Sequence, residues 1–76
     1  MRVLVIESDS HLGVVWCRHL ERQGNEVHLA IDEKSAIDKL RFSTFDVLVL
    51  DISIKDASVL AISDFATYRN PGVAII

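Results

Sequence analysis

The apolar residues of this 76-residue chain fall into short unbroken runs separated by stretches with helical spacing. Val3-Leu4-Val5-Ile6 forms the first run and ends on an acid, Glu7. Val47-Leu48-Val49-Leu50 forms another, led in by Phe45-Asp46 and ending on Asp51. Short runs of this kind, rich in β-branched residues, predict strands buried on both faces. Residues 2–6 are therefore the first strand. The polar turn Glu7-Ser8-Asp9-Ser10 offers Ser8, Asp9 or Ser10 as acceptors for the free N–H groups of a helix. From His11 to Gln23, Leu12, Val15, Trp16 and Leu20 recur at helical spacing, with His19 on the same face. Gly24-Asn25 stops that helix. Glu26 to Ala30 predicts a second strand. Asp32 caps a second helix running to about Arg41, with Ala36, Ile37 and Leu40 facing inward. Phe45 to Leu50 is the third strand, and residues 52–57 form a loop. Asp56 or Ser58 opens a third helix bearing Val59, Leu60, Ile62, Phe65 and Ala66. Asn70-Pro71-Gly72 breaks it, and Val73 to Ile76 opens a fourth strand.

Alternating strands and helices with short connections predict an α/β domain over residues 1–76, a doubly wound parallel sheet with helices on both faces. The expected strand order is 2-1-3-4, which sets the first and third strands side by side. Ligand crevices of open α/β sheets lie beyond the C-terminal ends of the strands. Glu7 and Asp51 would then stand together at the mouth of one crevice.

Composition narrows the picture. A domain of this length buries only about 60% of the surface its unfolded chain exposes. Half of its residues are hydrophobic, which predicts an apolar surface that meets more of its own domain or a second copy. The net charge is −3 with no basic cluster, which argues against direct nucleic-acid binding by this segment. Neither a secretory signal nor a spanning segment is visible. The single cysteine, Cys17, excludes an internal disulfide and fits a reducing cytosol, so a cytoplasmic location is expected. Three bystander readings follow from pattern alone. His19 and Trp16 are read as core-facing, Cys17 as a small packing residue, and His11 and His28 as surface residues whose spacing suits no metal site. Glu33, Lys34, Asp38, Lys39 and Arg41 read as a solvated helix face.

The order and spacing of these features resemble the receiver domain of two-component response regulators. The match runs without gaps from Arg2 to Ile76. It covers the acidic turn after the first strand, Gly24, Glu26-Val27, the strand Asp46-Val47-Leu48-Val49-Leu50-Asp51, and Asn70-Pro71-Gly72. The resemblance implies a flavodoxin-like fold lacking the family's last strand and last two helices. It implies that Asp51 accepts a phosphoryl group from a histidine kinase or phosphotransfer protein. It also implies a divalent metal, usually Mg²⁺, held by the acids after the first strand, by Asp51 and by the backbone carbonyl of Ser53.

The chain departs from the family in three places. The usual acidic pair after the first strand reads Glu7-Ser8, so a hydroxyl replaces a carboxylate ligand and metal affinity should fall. Asp9 follows, but one residue further on it should point towards the first helix. The loop after Asp51 carries Lys55 where a proline is usual, then Ser58-Val59 in place of Asp-Gly. Lys55 is read as solvated, with replacement of lost cationic charge as its functional alternative. The family's switch Ser/Thr and essential Lys lie beyond the matching residues. An open fourth-strand edge is expected to drive self-association, unless the chain is the ordered part of a longer one.

Rival readings are weaker. Glu7-Ser8-Asp9 has the acid-x-acid spacing of aspartate-nucleophile phosphohydrolases, but Glu stands where their nucleophile belongs. Residues 7–12 hold no glycine, which excludes a glycine-rich phosphate loop. The leading alternative is a pseudo-receiver, independent of phosphorylation, that serves as an interaction or dimerisation module.

Overall fold

In the computed structural model the described residues are 1–51 and 53–76. The elements run β1 (Arg2–Ile6), α1 (Ser10–Arg22), β2 (Glu26–Ala30), α2 (Glu33–Phe42), β3 (Val47–Leu50), α3 (Asp56–Arg69) and β4 (Ala74–Ile75). Four parallel strands form one sheet in the order β2-β1-β3-β4. This is the flavodoxin-like order expected for a doubly wound sheet that resembles receiver domains. The predicted loop begins at Ile52, which lies outside the described residues.

Helix ends explain much of this layout. Asp9 is the α1 N-cap, and its carboxylate accepts from His11 N at 3.0 Å and Leu12 N at 3.2 Å. Asp32 and Ser35 form a reciprocal capping box at α2, an arrangement that stabilises a helix start by about 1 kcal/mol. Past the end of α1, Gly24 takes φ +91°, a conformation that side chains resist. Asn70 builds the turn into β4. Its amide donates to Phe45 O at 3.0 Å, while its Oδ1 accepts from Gly72 N at 3.1 Å.

The two sheet faces are unequally covered. Leu4, Ile6 and Leu48 meet Ala36 and Leu40 of α2 and Ile62 and Ala66 of α3, with Phe45 and Ala30 closing the same cluster. These side chains are essentially withdrawn from water, and their burial is the main stabilising contribution. The opposite face carries Val3 and Val5 beneath α1. Here the structure corrects the sequence reading. Leu12, Val15 and Trp16 are 44%, 62% and 48% exposed, and His19 is exposed as well. The residues of α1 that turn inward are Gly13, Cys17 and Leu20. Gly13 lies against Leu29 of β2, where an added Cβ would come within 2.6 Å of a Leu29 methyl. Gly13 thus packs closely on β2, while Leu12 and Trp16 border an open cleft over Val5 of β1 and Val49 of β3. His28 is only partly exposed. It meets the edge of Phe45 at a centroid distance of 5.4 Å and bonds Glu26. On α3, Leu60 is 64% exposed while Ile62 and Ala66 are buried.

Candidate functional site

The register of β1 and β3 pairs Ile6 with Leu50, so the next residues, Glu7 and Asp51, leave the sheet at one level. Each continues the ladder by one bond. Asp51 N donates to Ile6 O at 2.9 Å, and Glu7 N donates to Ala30 O at 2.9 Å. Glu7 is buried, 5% exposed, and Asp51 is partly exposed. The predicted convergence of the two acids is therefore present.

Ser8 and Ser53 join them. The Ser8 hydroxyl donates to Asp51 Oδ2 at 3.3 Å and lies 3.5 Å from the Ser53 hydroxyl. Ser53 donates its N–H to Asp51 Oδ1 at 3.1 Å and its hydroxyl to Oδ2. These donors, with the Glu7 carboxyl foremost, hold the Asp51 acid down at about 2. Glu7 moves the other way. Sharing a proton with Asp51 raises it first, and burial adds to the rise.

Among the described residues one buried side-chain atom is left without a hydrogen-bond partner. Glu7 Oε2 is buried and accepts from no donor, an expensive state for a carboxylate oxygen. A hard cation would satisfy it. The oxygens here, two carboxylates and the Ser8 hydroxyl, suit an oxygen-seeking and partly hydrated ion such as Mg²⁺. No group of three His, Cys, Asp or Glu is poised for a metal among the described residues. Asp9 is committed to capping α1. The set therefore fits a cation, but a weakly held one. Lys55 precedes α3, is exposed, and forms no ion pair among the described residues. Beside the acids opens a cleft of about 230 Å³, lined by Val5, Leu12, Trp16 and Val49. Sequence reasoning named Ser53 for its carbonyl and missed its side chain. The available signal was the Asp-x-Ser spacing, which lets residue i+2 bond back to the aspartate.

No family model matches the chain. The aerobic respiration control sensor protein ArcB of Escherichia coli K12 is 36% identical over 72 residues. That match spans 93% of this chain and 9% of ArcB. The solution structure of the beryllofluoride-activated NtrC4 receiver domain dimer superposes with a TM-score of 0.81 at 27% identity, covering 99% of this chain and 62% of that one. The chain is a receiver-type domain of the response regulators. A response regulator protein from Burkholderia pseudomallei, solved with a phosphorylated aspartic acid, a calcium ion and citrate, shares the fold. It gives a TM-score of 0.85 at 23% identity, over 97% of this chain and 44% of that one. The receiver domain thus spans under two thirds of each of these proteins. No described helix is long and apolar enough to cross a membrane.

Proposed function

We propose that this receiver domain accepts a phosphoryl group on Asp51 from a histidine kinase or phosphotransfer protein in the cytoplasm. The observation that carries the reading is the convergence of Glu7 and Asp51 from adjacent strands around a buried, unpartnered carboxylate oxygen. The phosphorylated aspartic acid of the Burkholderia relative supports it.

Asp51 is the nucleophile. Its carboxylate oxygen attacks the phosphorus of a phosphohistidine. The N–P bond breaks as the O–P bond forms, and the imidazole, protonated on its other nitrogen, leaves neutral. Glu7, Asp51 and the Ser53 carbonyl are the proposed ligands of Mg²⁺, with Ser8 in place of the usual second acid. When bound, that ion neutralises charge on the phosphoryl oxygens. The Ser53 N–H keeps Asp51 oriented. The added charge on Asp51 then alters the contacts of the surrounding surface.

A second reading draws on a separate observation. Asp9 caps α1 and supplies no third carboxylate, which favours a phosphorylation-independent module. Self-association through the outer edge of β4 belongs to either reading. Incubation with Mg²⁺ and a small phosphodonor, followed by intact mass, separates them. One added phosphoryl group that disappears in Asp51→Asn supports the first. No added mass, or the same gain in Asp51→Asn, supports the second.

A further inference from the structure

The Asp51 carboxylate is held by its neighbours more fully than nucleophile and metal ligand require. A carboxylate oxygen offers two lone-pair sites. Oδ2 accepts from both the Ser8 and Ser53 hydroxyls, so both its sites are taken. Oδ1 accepts the Ser53 N–H. One residue, two positions along, therefore holds both oxygens, and its hydroxyl occupies a site that a cation would need.

We infer that the Ser53 hydroxyl is a latch on Asp51, which a divalent cation must displace in order to bind. This rests on the reading of Asp51 as a cation ligand. Ser53 suits the role because its hydroxyl turns about a single torsion while its N–H stays on Oδ1. Its side chain is exposed, so a released hydroxyl finds water. Ser8 is different. It lies 3.3 Å from Asp51 Oδ2 and sits beside Glu7, where its oxygen can turn to face the cation. Ser53 is accordingly a positioning residue: it sets Asp51 for attack and at the same time weakens the metal site.

The test is Mg²⁺ titration of the full chain, followed by the fluorescence of Trp16 and by calorimetry. Trp16 is the sole tryptophan and lines the same cleft as Glu7 and Asp51. Removing one hydrogen bond to a charged group should tighten Mg²⁺ binding by about 5-fold or more in Ser53→Ala. Ser53→Thr, which keeps the hydroxyl, should bind as wild type does. That pair of results supports the latch. Wild-type binding with Ser53→Ala equal or weaker overturns the latch alone. No Mg²⁺ binding in any of the three proteins overturns the cation site, and the latch with it.

Discussion

Glu7 and Asp51 leave neighbouring parallel strands at the same level and line one cleft. The two acids shift in opposite directions, and so do their effects on stability. Glu7 is raised, so its contribution is present below its ordinary value of 4.5 and is lost as pH rises through the raised one. Asp51 is lowered, so its contribution is present above its ordinary 3.8 and is lost as pH falls towards about 2. Above that raised Glu7 value both acids are ionised and, without metal, repel each other. Glu7→Gln supplies a permanently neutral donor. It should raise the melting temperature at about pH 8 and lose that advantage near pH 4.5, where wild-type Glu7 carries its own proton. Thermal melts of both proteins across that range check the sign. Equal melting temperatures throughout would contradict the upward shift of Glu7.

Ser8 marks where the site departs from two-acid metal centres. Restoring a carboxylate with Ser8→Asp adds charge beside Glu7, and affinity at such sites follows ligand charge. Mg²⁺ should bind about tenfold tighter or more. Without metal the same substitution places three acids together, so the melting temperature should fall and recover on adding Mg²⁺. Calorimetry and thermal melts read the two effects separately. A variant that gains no affinity would mean that position 8 does not face the cation.

The sheet and the acid pair were legible because their signals are local. Val3 to Ile6 and Val47 to Leu50 are unbroken apolar runs, and each delivers an acid at its end. A parallel sheet turns that one-dimensional pattern into a shared edge. The orientation of α1 was legible only in part. Of the predicted stripe Leu12, Val15, Trp16 and Leu20, only Leu20 is not exposed, and it turns inward with Cys17 and Gly13. Periodicity weighs side-chain hydrophobicity and gives a glycine little weight. The decisive factor is how closely backbone can approach Leu29, a tertiary fact. The Ser53 side chain was missed for a related reason: its partner is a carboxylate whose position depends on the strand.

Gly13 gives a direct test of that orientation. In a helix, Gly→Ala alone should add about 1 kcal/mol of stability. Here the new methyl would sit 2.6 Å from Leu29 Cδ1, and overpacking of this kind costs about 1–3 kcal/mol. Leu29 is only partly buried and can yield somewhat. Gly13→Ala should therefore forfeit most of the helix gain and come out near neutral. Combining it with Leu29→Ala should remove the clash and leave the two effects non-additive. Urea melts of the double-mutant cycle decide the matter, and simple additivity would place Leu29 elsewhere.

Unequal cover of the two faces predicts unequal sensitivity to truncation. Leu48 is fully buried between β1, α2 and α3, so Leu48→Ala should cost about 2–5 kcal/mol. Trp16 is larger but half exposed, and Trp16→Ala should cost less than Leu48→Ala does. Denaturant unfolding of the two variants ranks them. The reverse order would show that Trp16 is buried in solution, by a second copy or by further chain.

The outer edge of β4 is the last open feature. Among the described residues no strand pairs with it. Ala74 N donates to Asp46 O and Ile76 N to Leu48 O, both at 2.9 Å. Parallel ladders alternate their bonding side, so the Ile75 N–H and C=O face outward. Ile75 and Ile76 are also exposed, by 38% and 76%. Such an edge invites pairing. The chain should therefore associate as its concentration rises through the micromolar range. Ile75→Pro removes the outward N–H while sparing the bonds to β3, and proline is tolerated at edge positions of this kind. Light scattering coupled to size exclusion should show that this variant stays smaller than wild type at equal concentration, with unchanged circular dichroism. A wild type that remains monomeric throughout, or a variant that associates equally, would remove β4 as the contact.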